Sequence, residues 1–376
     1  MTESFRPMLL ETARRIFRRH AGIKVVAGAS QAIWPEELWT HLEENGFTQV
    51  SAEGLSFADG LALMRVAGYF SAPVPLGEAM VASAVLAAAK MNLPEGPIGL
   101  GTAQCLAAGH SQSAGDSQSA GHSQPHEYEI RKTPEGVLVT GVFSRVPWAR
   151  NCQSLVLVFP VQGGWAAGVV QREGLHLEHG ENLAGEPRDE VRLVDVILQD
   201  FAMLPKGWTG CHVLSQTALM QVMAASGALE RLLEMTIAYA NQRKQFGRPI
   251  ARFQAVQHEI AELAAEAYAM QAAANGIVSA FDGFEPDLGA WTSDQLQLGN
   301  QLAALGKMRL AQAAHIAGQN AHQVHGAMGF TMEYPLHFIT RRLWSWRQEY
   351  GNETTWAGSV AAALQTQEVW NYLTSY

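Results

Sequence analysis

One stretch limits the fold more than any other. From Phe253 to Ile277, the apolar residues Phe253, Val256, Ile260, Leu263, Ala267, Met270, Ala274 and Ile277 recur at steps of three and four. This spacing lines one side of a helix about seven turns long, and such a stripe must be covered by other helices. Residues 215–245, 293–323 and 353–373 carry further helical patterns. Together the four predict a C-terminal four-helix bundle.

Upstream the texture alternates. Residues 1–98 read as helical. Phe5, Leu9, Ala13, Ile16 and Phe17 form the inner face of a basic surface helix, Pro35-Glu36-Glu37 starts a second, and two Ala- and Met-rich helices flank Pro73-Val74-Pro75. Between Tyr128 and Leu204 the runs are short and extended, with turns at Pro134-Glu135-Gly136 and Gly163-Gly164, which predicts a compact β domain. Residues 109–125 repeat Gly, Ser, Gln and His with no apolar residue larger than Ala, a composition that cannot bury a core. The expected class is α+β, with a helical domain over 1–98, a β domain over 99–208 and the bundle over 209–376.

Composition then removes functions. With 26 Lys+Arg against 35 Asp+Glu the net charge is -9, which disfavours a nucleic-acid partner. No run reaches the roughly 18 apolar residues of a membrane span, and the N-terminus lacks the apolar core of a secretory signal. A cytoplasmic protein is expected, with Cys105, Cys152 and Cys211 as isolated reduced thiols. No Walker loop, CxxC pair, HExxH or GxSxG occurs, and Gly99-Leu100-Gly101 lacks the third glycine of a dinucleotide fingerprint. His315, His322 and His325 have no Cys or carboxylate at ligand spacing, so no metal site is expected.

Two segments are more specific: Gln242-Arg243-Lys244-Gln245-Phe246-Gly247-Arg248-Pro249-Ile250 with Phe253-Gln254-Ala255-Val256-Gln257, and Gln323-Val324-His325-Gly326-Ala327-Met328-Gly329-Phe330 continuing to Leu336. Placed on long C-terminal helices behind an α–β–α order, they resemble the acyl-CoA dehydrogenase family. The resemblance covers nearly the whole chain. It implies FAD as cofactor, an acyl-CoA substrate and α,β-dehydrogenation to a 2-enoyl-CoA, with an electron-transfer flavoprotein as acceptor. It also implies that each flavin spans two subunits. Arg243 falls on the family's pyrophosphate arginine, Phe246 on its phenylalanine, and Gln323, Val324, His325, Gly326 and Ala327 on its glycine-rich phosphate segment, with Ala327 replacing a glycine.

The half of the site that holds the flavin ring departs from the pattern. The repeat at 109–125 stands where the ring-binding loop belongs, and Arg145-Val146-Pro147 replaces a Trp-Ile-Thr type triplet, with a proline that has no N–H to donate. The usual glutamate base falls on Tyr350, one residue after Glu349, and the alternative base position falls on Thr217. Glu349 is the candidate base. The expectation is one subunit of a heteromeric acyl-CoA dehydrogenase (α2β2), of the kind that handles fatty or steroid-derived thioesters, supplying the adenosine and pyrophosphate half of a partner's FAD site. The alternatives are a self-sufficient homotetramer using Glu349, or a monooxygenase-like or non-catalytic relative.

Overall fold

A computed structural model describes residues 5–365 apart from 51–53, 104–127, 135 and 199. The Ser/Gln/Gly/His repeat, with the place of the expected ring-binding loop, lies outside the described residues. Helices α1 (Phe5–His20), α2 (Ile23–Ala29), α3 (Glu36–Glu44), α4 (Phe57–Tyr69) and α5 (Leu76–Ala88) come first. They lead into β1 (Ile98–Thr102), β2 (Glu129–Thr133), β3 (Gly136–Pro147), β4 (Ser154–Val161), β5 (Gly164–Gln171), β6 (His176–Glu178), β7 (Arg188–Leu198) and β8 (Asp200–Met203). Helix α6 (Gly210–Gln242), the short strands β9 (Lys244–Gln245) and β10 (Arg248–Pro249), α7 (Gln254–Phe281), α8 (Ser293–His325), α9 (Leu336–Trp346) and α10 (Glu353–Leu364) complete the described chain.

The strands form two four-stranded sheets, ordered β1-β4-β5-β8 and β2-β3-β7-β6. Pairing is antiparallel except between β1 and β4, where Ile98 lies opposite Ser154. Alternating burial along β3 turns Val139 and Phe143 toward Leu155, Leu157 and Phe159 of the other sheet, and this inner layer is the β core.

The helices before and after the strands share a second core. It runs unbroken from Leu9 and Phe17 of α1 through α4 and α5 into α6, α7 and α8. The stripe read from the sequence is its seam: Leu263, Ala267, Met270, Ala274 and Ile277 are buried. Helix α4 seats against α6 because two glycines let their backbones meet. A Cβ on Gly68 would stand 1.8 Å from the Ala224 carbonyl oxygen, and one on Gly227 1.8 Å from that of Arg65. No described helix is long and apolar enough to cross a membrane. The thiol expectation needs one correction: Cys152 is free and buried, but Cys211, in the first turn of α6, is disulfide-bonded.

Candidate active site

The sheets and both sets of helices meet around two adjoining cavities. One, between α4, α5 and α6, is bordered by Met64, Gly68, Glu78, Met220 and Gln221 and encloses only about 40 Å³, room for a few waters. The other, about 410 Å³, is bordered by Gly101, Ser144, Arg145, Tyr350 and Gly351. Pro147, Arg188 and Thr217 line both. The Arg145-Val146-Pro147 triplet therefore does face the larger cavity. A register shift in the β3–β7 pairing between Phe143 and Val146, with Arg145 at φ 60°, turns the strand there.

Glu349 lines the larger cavity, but its oxygens are already occupied. Arg188 grips the carboxylate through both nitrogens, Nε to Oε1 at 2.7 Å and Nη2 to Oε2 at 3.0 Å. Asn182 donates to Oε1 at 3.0 Å and Gln221 to Oε2 at 2.7 Å. The Lys307 side-chain nitrogen donates to the backbone carbonyls of Glu349, at 2.6 Å, and of Trp346, which caps the C-terminal end of α9. Burial alone would raise the Glu349 carboxyl. The Arg188 charge and the hydrogen bonds from Arg188 and Asn182 outweigh it and leave the group below the ordinary 4.5. Burial pushes Lys307 down to about 7. A carboxylate holding four hydrogen bonds at depressed pKa is a poor proton acceptor, and this geometry weighs against Glu349 as the base.

The neighbouring residue takes another course. Tyr350, held at φ 53°, donates its hydroxyl to Glu78 Oε1 at 2.7 Å. Burial raises the Glu78 carboxyl above its ordinary range. Sequence reasoning missed Asn182, Arg188, Gln221 and Glu78. Only Glu78 left a signal, an acid in an otherwise apolar helix; the other three come together through contacts more than 100 residues apart. Thr217 spends its hydroxyl on the Val213 carbonyl.

The two motif segments sit side by side at another place. Tyr239, one turn before the end of α6, stacks on His325 at 4.4 Å and donates to its carbonyl at 3.3 Å. His325 is fixed further by the Ala321 carbonyl at 2.7 Å and the Tyr334 hydroxyl at 3.1 Å. This clasp joins the last turns of α6 and α8, which end at the C-caps Arg243 and Gly326. Burial lowers the His325 imidazole and keeps it neutral. Val324 and His325 point inward, whereas Arg243, Gln323, Gly326 and Ala327 are exposed. Arg243 has no ion-pair partner among the described residues. Phe246 and Gly247, at φ 51° and 77°, form the tight turn of the β9–β10 hairpin and leave the Phe246 ring 92% exposed.

Helices, a two-sheet sandwich and a helical bundle converging on one central cavity define an acyl-CoA dehydrogenase-type fold. Comparison with known proteins agrees. The model of the acyl-CoA dehydrogenase C-terminal domain matches residues 209–364. Acyl-CoA dehydrogenase IpdE2 of Mycobacterium tuberculosis is 26% identical over 349 residues, 90% of each chain. A probable acyl-CoA dehydrogenase of Bacillus subtilis is 33% identical over 120 residues, but that match spans 29% of this chain and only 20% of the relative. The structure of the Tcur3481-Tcur3483 steroid ACAD superposes with a TM-score of 0.75 at 22% identity, covering 98% of this chain and 100% of that one. The ChsE4-ChsE5 complex of M. tuberculosis does so with a TM-score of 0.74 at 18% identity, covering 98% and 99%. Residues 209–364 thus carry an acyl-CoA dehydrogenase C-terminal domain, and along its length the chain is similar to acyl-CoA dehydrogenases in sequence and fold.

Proposed function

We propose that this chain is one subunit of a heteromeric, flavin-dependent acyl-CoA dehydrogenase and that it supplies the adenosine and pyrophosphate half of the partner's FAD site. The observation that carries the reading is Phe246. A non-glycine residue at left-handed φ is strained, and the ring stays 92% exposed, with an edge contact to Phe253 at 6.1 Å between centroids. Arg243, three residues earlier, is a permanently charged guanidinium with no ion-pair partner among the described residues, and Gly326 at φ 58° exposes its backbone. That set suits a diphosphate and a flat base brought by another molecule.

The chain's own central cavities fit a flavin and an acyl chain poorly. Pro147 offers no N–H toward the larger one, the smaller is nearly filled, and the carboxylate between them is tied to Arg188. When bound, FAD supplies the acceptor for the substrate's β-hydride. The contribution of this chain is to hold the anionic end: Arg243 on phosphate oxygens, Gly326 and Ala327 allowing close backbone approach, Phe246 against the adenosine. The acid–base work falls to the partner. A bulky, ring-bearing acyl-CoA is the favoured substrate, because similar proteins include a steroid ACAD, and an electron-transfer flavoprotein is the favoured electron acceptor.

The test is flavin stoichiometry. The chain expressed alone should be colourless. Co-expressed with a complete acyl-CoA dehydrogenase partner, it should give an α2β2 assembly with two flavins. One flavin per chain in a homotetramer of this protein would overturn the reading.

A further inference from the structure

We propose that His20, Glu37 and His41 form a binding site for a zinc-type divalent transition metal that staples the end of α1 to α3. Each side chain offers one ligand atom, and the three atoms lie within 4.8 Å of one another. Two helices with unrelated roles in the core supply them. His20 is the last residue of α1, and its side chain is 7% exposed. Glu37 and His41 stand four residues apart on α3, hence on one face of it. Helices α1 and α3 pack in the shared core, where Ile16, Phe17, Leu38 and Leu42 are all buried.

The donor chemistry is that of zinc. Two imidazoles and one carboxylate are a familiar three-ligand zinc set, which leaves a fourth position for water or a further carboxylate. Glu44 lies next to the cluster, with Oε2 3.1 Å from His41 Nδ1. Hard cations such as Mg²⁺ favour all-oxygen shells and fit poorly. Charge points the same way. Glu37 is paired only with His20, at 3.2 Å, and Glu44 only with His41. Neither has a Lys or Arg ion pair among the described residues, although Arg18 and Arg19 precede His20 in the last turn of α1. The site also lies at the C-terminal, negative end of α1.

Geometry requires a modest contraction. Tetrahedral ligands about 2.1 Å from zinc stand roughly 3.4 Å apart, so the widest pair must close by about 1.4 Å. The rings of His20 and His41 already face each other with centroids at 4.4 Å. Glu37, 79% exposed, is free to swing in while buried His20 holds the position. No residue of the cluster borders the central cavities, so the role is to fix the helix pair rather than to take part in the reaction. This inference does not rest on the flavin reading.

The experiment is a zinc titration by calorimetry on the full chain, purified without a histidine tag, alone or with its partner. His110, His122 and His126 are replaced by alanine in the parent protein, so that the repeat cannot contribute ligands. The expected result is one Zn²⁺ per chain, with Mg²⁺ at least 100-fold weaker and a raised melting temperature in zinc. His41→Ala, at a half-exposed position, should keep the fold by circular dichroism and lose stoichiometric binding. Glu37→Gln should weaken it at least tenfold. Co²⁺ should give the visible absorption of a tetrahedral site in the parent and not in His41→Ala. Absence of a one-to-one zinc isotherm in the parent, or its survival unchanged in His41→Ala, overturns the proposal.

Discussion

Replacing Glu349 by glutamine separates a structural carboxylate from a catalytic one. The change keeps the shape and removes the charge. Arg188, 6% exposed, then keeps only Glu186 as an ionic partner, at 3.5 Å, and its guanidinium cannot shed its proton. Breaking a buried pair by removing one partner costs about 3–5 kcal/mol. The remaining Glu186 contact, and one hydrogen bond that the amide oxygen can still accept from Arg188, put the expected loss near the lower end, about 3 kcal/mol. Arg188→Met should cost a similar amount. The double variant Arg188→Met/Glu349→Gln should recover at least about 2 kcal/mol of the summed losses, because neither charge of the pair is then left buried without the other. The assay is the urea midpoint from tryptophan fluorescence, read as a double-mutant cycle on the co-expressed complex. Acid adds a second signature. A carboxyl with a depressed pKa stabilises the fold above its ordinary 4.5, and this contribution fades as pH falls below that value through the folded pKa. Wild type should show the acid-dependent loss, and Glu349→Gln should not. Turnover of the folded complex should stay within about threefold of wild type. A loss of about 10²-fold or more in turnover, with stability unchanged, would refute the argument and restore Glu349 as the base.

Three further outcomes follow from the same geometry. Arg243→Ala, at an exposed helix end, should leave stability unchanged but weaken FAD retention in the complex by about 1.5–3 kcal/mol, the worth of a charge-assisted contact, read by flavin release under dilution. Glu78 has a raised pKa, so its contribution is complete below pH 4.5 and is lost as pH rises through the folded value. Glu78→Gln should therefore flatten the fall in melting temperature across the range above pH 4.5; an unchanged slope would show that Glu78 titrates normally. Gly227→Ala places a methyl against the Arg65 carbonyl and should cost at least about 1–3 kcal/mol by urea titration, more than an alanine at the open position Gly276.

The sequence by itself determined the architecture and marked two motif segments as candidates for one half of a flavin site. Helix periodicity along 253–277 is a local property, and so is the turn chemistry at Gly163-Gly164; both appear in the structure where their spacing puts them. The motif residues Arg243, Phe246 and Gln323–Ala327 were legible because each segment is contiguous. Only the fold set the two segments side by side, through the Tyr239–His325 clasp. Tertiary structure alone decided the fate of Glu349. Its hydrogen-bonding partners Asn182, Arg188 and Gln221 lie 167, 161 and 128 residues away and share no pattern with it. Whether a carboxylate is a base or a buried ion-pair partner depends on the charges and dipoles packed around it in three dimensions, and these follow from chain topology rather than from neighbours in sequence.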